Sequence, residues 1–309
     1  GGVAAGWQMV YRATDPFGPY EGRKVLAQGN TKINGPHQGG WVELPGGESW
    51  FVHFQELQPY GRIVHLQPVK WVDDFPVMGA DDDGDGTGEP VMQHRKPDVE
   101  TTSVIKAPQT SDEFNDSNYN LAWQWQANYH DHWYSLIENP GHLRLYSQYH
   151  ESSASLWMVP NILAQKLPGP EFTATTKMDP RNLKRHEKAG IVLFGLDYAA
   201  MTASPSKEGF DLKLAVCKDA HKGFSEEIMK TISINPGLVY LRMTFTRNAE
   251  CQFSYSINGE NFSNIGETFK AREGRWIGAK IGLFAISRQE TGMKGYADFD
   301  WFRIESKNE

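Results

Sequence analysis

Apolar residues along this chain alternate with polar ones far more often than they recur at helical spacing. The stretches "WQMVYRA" (7–13), "GRIVHLQPVKWV" (61–72) and "VYLRMTF" (239–245) carry side chains of opposite character at successive positions, the period of a half-buried β-strand. Between them stand Gly, Pro, Asn and Asp, the residues that break a strand and reverse the chain. "GGWVELPGGESWFVHFQ" (39–55) reads as two strands joined by a Pro-Gly-Gly turn, a hairpin. Pro68 marks its strand as an edge or a bulge, because proline has no N–H to give a ladder.

Residues 80–109 then break the pattern. They are rich in Asp, Gly and Pro, poor in apolar residues, and predict a linker or a long surface loop. From 110 to 309 the strand signals return as "LAWQWQAN", "GHLRLYSQ", "FTATTKM", "KAGIVLFGL", "FDLKLAVCK", "CQFSYSING", "AKIGLFAIS" and "GYADFDWFRI". So many short strands with turn signals at roughly 8–12-residue spacing predict an all-β sandwich of jelly-roll type. Residues 1–79 supply only some five strands. A closed propeller needs about four blades of four strands, so this region is expected to dock on something else or on the sandwich. The opening "GGVAAGWQMVYRA" has no basic segment and no long apolar run; it reads as a domain entered in mid-course rather than as a signal peptide.

Composition narrows the function classes. The net charge of −7 over 309 residues argues against nucleic-acid binding, which needs a basic face. No apolar run of about 18 residues occurs, so no membrane-spanning helix is expected. Aromatic residues make up 12% of the chain, including 10 Trp, which suits sugars stacking on exposed rings as well as a large β-core. Cys217 and Cys251 are compatible with one disulfide or with two buried thiols.

One histidine is set apart by its surroundings. In "INGPHQGGWV" (33–42), His37 lies between Gly-Pro and Gly-Gly, backbone that can hold a side chain without a helix. The carboxylates of the same region are Asp15, Glu21, Glu43, Glu48, Glu56, Asp73 and Asp74. Glu43 and Glu48 flank a hairpin turn, and Asp73 and Asp74 share a strand end. Those are solvated positions, and no acid/base pair is predicted among them. "DDDGDG" (81–86) fits the opening of a calcium loop, but position twelve is Met92 rather than Glu, so a solvated loop is expected.

The segments "GWQMVYRATDPFGPYEGRKVL", "NGPHQGGWVELPGGESWFVHFQ" and "GRIVHLQPVKWVDDFPVMG" resemble the last part of the catalytic propeller of glycoside hydrolase family 43. "SDEFND", "LWMVPNILAQKLPGPEFTATTKM" and "GYADFDWFRI" resemble the concanavalin-like sandwich that follows it in many of these enzymes. The resemblance implies a partial five-bladed β-propeller (1–79), a linker (80–109) and a β-sandwich (110–309). It further implies part of an inverting β-xylosidase or α-L-arabinofuranosidase acting on xylo-oligosaccharide or arabinoxylan. The acid and base carboxylates would lie on blades outside these residues, on another segment or chain, so these residues alone would be inactive. His37 matches a histidine near the propeller axis that faces a metal, often hydrated calcium. Arg62 matches an arginine reaching the sugar before the cleaved bond, and Gln38 could bond in the same pocket. Trp276 matches an aromatic residue on the pocket rim. Glu113 and Asp300 would hold a structural calcium in the sandwich. The alternative is a non-catalytic carbohydrate-binding or structural sandwich module.

Overall fold

The computed structural model describes residues 2, 4–99, 107–151, 155–290, 292 and 294–306, and among these it contains strands and four short 3-10 turns but no α-helix. Two compact units emerge, one of residues 1–57 and 62–106, the other of residues 58–61 and 107–309.

The first unit holds a two-stranded hairpin, β1 (Gln8–Arg12) and β2 (Glu21–Leu26), and a four-stranded antiparallel meander. The meander runs in chain order through β3 (Gly40–Glu43), β4 (Ser49–Glu56), β5 (Arg62–Val72) and β6 (Phe75–Met78), the make-up of one propeller blade. Asp73 and Asp74 both have positive φ, +50° and +56°, which gives the two-residue turn whose twist suits a tight hairpin. Arg12 clamps that turn: one guanidinium nitrogen donates to the Asp73 carbonyl at 3.1 Å, and the group lies 4.2 Å over the Phe75 ring. Val25, Leu26, Phe51, Phe75 and Met78 form the buried cluster beneath.

Pro68 is neither at an edge nor in a bulge, because β5 lies between β4 and β6 and pairs Pro68 with Trp50 in regular register. The Pro68 carbonyl accepts from Gly79 N–H at 2.7 Å, one residue past the end of β6. The missing N–H therefore falls where the ladder ends and removes no interior rung.

The expected linker over 80–109 is also revised. Residues 80–91 fold back on the first unit: Ala80 bridges Glu89, Leu26 bridges Gly88, and the fully buried Gln67 accepts from Val91 N–H at 2.7 Å. Polar side chains and backbone hold this segment, which is why hydrophobicity misses it. Residues 100–106 of that stretch lie outside the described residues.

The second unit is a sandwich of two eight-stranded sheets. In one sheet, Phe172–Asp179 lies between Val239–Phe245 and Tyr296–Ser306. Phe172, Ala174 and Met178 point inward with Val239, Leu241, Met243 and Phe245, and the Phe172 and Phe245 rings stack with centroids 4.2 Å apart. In the other sheet, Glu187–Phe194, Tyr198–Pro205 and Lys280–Ser287 are buried on both faces. Their outer face is covered by Leu156, Val159 and Ala220, which explains the unbroken apolar runs there. Cys217 and Cys251 are both buried free thiols. Residues 58–61 belong here because the Tyr60 hydroxyl meets the Pro170, Thr246 and Arg247 carbonyls at 3.0–3.1 Å and Ala279 N–H donates to the Pro59 carbonyl at 2.7 Å.

Candidate functional site

The loop carrying His37 is tied to β4 by side chains that imitate a missing strand. Asn34 donates to the Glu56 carbonyl at 2.9 Å and accepts from Glu56 N–H at 3.0 Å, while Gln55 donates to the Lys32 carbonyl at 2.8 Å. Gly6 packs flat against the imidazole; a Cβ there would lie 2.2 Å from His37 Nδ1, so only glycine fits. His37 Nδ1 is 2.7 Å from the Gly35 carbonyl. A carbonyl can only accept, so Nδ1 carries the proton and the neutral ring offers Nε2 as an acceptor.

Phe54 joins two of the three sequence-predicted residues of this unit, His37 and Arg62. Its ring centroid is 6.0 Å from that of His37, and the Arg62 guanidinium carbon lies 4.6 Å over the same ring. Arg62 is exposed at the first position of β5 and has no carboxylate within ion-pair distance among the described residues. A fork of free donors held on an aromatic face is suited to oxygen-rich ligands. Gln38 is exposed next to His37, with φ +55°.

A second pair of histidines escaped sequence reasoning, although "WFVHFQ" and "RIVHLQ" hold it in plain alternation. His53 and His65 are direct cross-strand partners with rings stacked 5.5 Å apart, and His53 Nε2 is buried without a hydrogen-bond partner among the described residues. Burial, then the charges of His65 and His37, hold His53 below the ordinary imidazole pKa, and burial does the same for His65. The unfolded chain therefore binds protons near pH 6.5 that the folded one refuses, so the stability of this unit is full above that pH and lost as pH falls below it. Amide protection factors in β4 and β5, taken relative to the intrinsic exchange rate at each pH, should fall from pH 7.5 to 5.5, and less so in His53→Leu; an equal fall in that variant would remove His53 as the cause.

Four carboxylates of this unit are held in ion pairs. Glu21 and Asp74 pair with Arg12, and Asp73 with Arg23. Glu48 meets Asp98 N–H at 2.9 Å and Arg95, which hold it below the usual carboxylate range, the reverse of what a general acid needs.

Trp276 lies in the second unit on the 271–279 loop. It is 74% exposed and has φ +61°, rare for a bulky side chain. It is not a core residue. Glu113 and Asp300, the expected metal pair, are each met by a basic side chain of the same unit. Arg303 grips Glu113 with two bonds of 2.8 Å and Lys177 donates to Asp300 at 2.7 Å, so each carboxylate already has its cation. The buried acid of "SDEF" is its neighbour Asp112, which accepts from Phe114 N–H, Asn120 N–H and the Trp123 indole. Among the described residues the acidic oxygens that do converge are those of Asp81, Asp83 and Asp85, within 4.8 Å of one another. Asp81 Oδ1 is buried without a hydrogen-bond partner among the described residues. A hard cation with oxygen ligands suits that set better than it suits an imidazole.

Residues 111–305 match the family model described as the β-xylosidase C-terminal concanavalin A-like domain. A putative β-xylosidase of Xylanibacter ruminicola is 38% identical over 295 residues, 94% of this chain and 52% of the relative. A β-xylosidase of Formosa agariphila is 32% identical over 321 residues, covering 96% and 52%. The chain thus spans about half the length of the curated relatives it matches. A solved bifunctional GH43-CE from Bacteroides eggerthii superposes with a TM-score of 0.82 at 28% identity, over 99% of this chain and 38% of that one.

Proposed function

Because the chain belongs to the β-xylosidase C-terminal concanavalin A-like family of glycoside hydrolase family 43, we propose that it is the closing portion of an enzyme that removes terminal xylose or arabinofuranose from xylan-type chains. The meander β3–β6 is then a blade of its propeller. The observation that carries this reading is the Phe54 ring shared by His37 and Arg62. It holds an imidazole acceptor and, among the described residues, an unpaired guanidinium against one aromatic ring, and a sugar hydroxyl is proposed to bind there. Inversion needs an acid and a base about 6.5–9.5 Å apart. The ion pairs of Glu21, Glu48, Asp73 and Asp74 leave them unsuited to that work, so both groups are assigned to blades outside these residues. Gln38, exposed beside His37, is proposed to hydrogen-bond the same sugar, and the exposed Trp276 ring to stack on a second one. Calcium is proposed as a structural ion. His37 would face it through a water that donates to Nε2, since an imidazole supplies no oxygen ligand.

The test is the full-length polypeptide on an aryl β-xyloside and an aryl α-arabinofuranoside, with the released anomer followed by NMR. Hydrolysis of at least one with inversion is expected, lost on chelation and restored by calcium. Retention of configuration, or no hydrolysis of either, overturns the reading; turnover by the 309-residue chain alone overturns the placement of the carboxylates.

A further inference from the structure

The outer face of one sandwich sheet carries a cleft that the proposed reaction does not use. Three neighbouring strands build its floor in two rows. Register places Lys177 opposite both Tyr240 and Trp301, and Thr175 opposite both Arg242 and Arg303. All point away from the core, because Ala174, Thr176 and Met178 take the inward positions of the same strand. The Tyr240 and Trp301 rings stand 6.1 Å apart across Lys177, tilted by 51°.

One wall is the turn after strand Glu250–Ser256. Asn258 Oδ1 accepts from Glu260 N–H and Asn261 N–H, both at 3.0 Å, so the turn is rigid. Gly259 rests on the Tyr240 ring, where a Cβ would come within 2.8 Å of it. Phe262 lies under the Arg242 guanidinium at 3.4 Å. The cleft encloses about 380 Å³, inside the common range for small-ligand sites (about 300–1,000 Å³).

The charges are unevenly matched. Lys177 is paired with Asp300 and Arg303 with Glu113. Arg242 gives Nε to the Thr175 hydroxyl at 3.0 Å, and no carboxylate lies within ion-pair distance of it among the described residues. Its other nitrogens are left to the cleft, fixed in direction by Phe262 and Thr175. Glu305, also in the lining, adds an acceptor. Arg303 covers one face of the Trp301 ring, its guanidinium carbon 4.2 Å from the centroid, and Gly259 rests on Tyr240. The remaining ring faces are what the cleft offers to C–H groups, while a fixed donor fork and a carboxylate offer contact to hydroxyl groups. That combination fits a sugar ring better than an apolar ligand, which would leave the guanidinium unpaired, or a bare anion, which has no use for the rings.

We propose that this cleft is a second, non-catalytic saccharide site, with Trp301 and Tyr240 as its stacking surface and Arg242 as its donor. The choice of a xylan-type chain as occupant rests on the proposed function; the geometry of the cleft does not. The test uses the full-length polypeptide in affinity electrophoresis through soluble xylan, with hydrolysis of a monomeric aryl glycoside measured in parallel. Trp301→Ala and Arg242→Ala are each expected to weaken retardation at least about tenfold, with aryl glycoside turnover within twofold of the parent. Trp301→Phe should restore part of the retardation. No retardation of the parent, or retardation unchanged in both alanine variants, overturns the site. So does a parallel loss of retardation and turnover with no rescue by Trp301→Phe, which would mark a folding defect. Retardation that depends on Trp301 in a protein without glycosidase activity would keep the site and overturn the hydrolase reading instead.

Discussion

Replacing Arg62 with alanine in the full-length polypeptide is expected to lower kcat/KM on an aryl pentoside by about 100-fold. A hydrogen bond from a charged donor contributes about 1.5–3 kcal/mol, and each 1.36 kcal/mol is tenfold in rate. The upper half of that range applies because the side chain is placed in advance. It leaves the first position of β5 and is held on the Phe54 ring, so little ordering remains when a sugar arrives. Among the described residues it also has no acid within ion-pair distance to abandon. Arg62→Lys should recover only part of the loss, since an ammonium keeps the charge but loses the planar fork. If kcat and kcat/KM fall together, the contact forms in the transition state; if only KM rises, it serves ground-state binding. A change within twofold in Arg62→Ala would exclude the arginine from the pocket and, with it, the reading of Phe54 as the centre of the site.

How far the sequence foretold this geometry depends on what kind of information each element used. The hairpin at 39–55 and the strands Phe172–Asp179 and Val239–Phe245 were legible, because a sheet with one buried face writes its pattern directly as alternation. The strands buried on both faces, such as Lys280–Ser287, were legible as strands but not in register, since every position is apolar. Residues 80–91 looked like a linker because their attachment uses one buried glutamine and backbone bridges, which carry no hydrophobic signature. Pro68 misled for a related reason: whether a missing N–H matters depends on where the neighbouring strand stops. In the site, the glycine and proline around His37 announced a constrained loop. They could not announce Phe54, which becomes a site residue only because two distant segments converge on its ring. Glu113 and Asp300 show the same dependence on distant segments. Sequence separation gave no hint that Arg303 and Lys177 would reach them first.

The largest expected effect on stability lies in the sandwich, at the pair of Arg144 and Asp298. These residues face one another across strands Leu143–Tyr146 and Tyr296–Ser306. Arg144 donates to both Asp298 oxygens, at 2.8 and 3.0 Å, and covers the Tyr296 ring at 3.8 Å. The bonds to Asp298 raise the guanidinium pKa further above its ordinary value. Asp298 is only 5% exposed, and its remaining partner is the Asn139 amide at 2.9 Å. Arg144→Ala removes the cation and leaves a buried carboxylate with one neutral donor, which costs about 3–5 kcal/mol. For a unit of this size, at about 2–4 °C per kcal/mol, its melting step should fall by about 10 °C. Removing both charges should be far milder, because the desolvation that makes the single variant costly disappears with the carboxylate; Arg144→Leu with Asp298→Leu is expected to recover most of the loss. Calorimetry of the three proteins decides the matter. A double variant as unstable as Arg144→Ala would mean that the arginine acts through its packing on Tyr296 rather than through its charge, and a single variant within about 1 kcal/mol of the parent would mean that water reaches Asp298 when the guanidinium is gone.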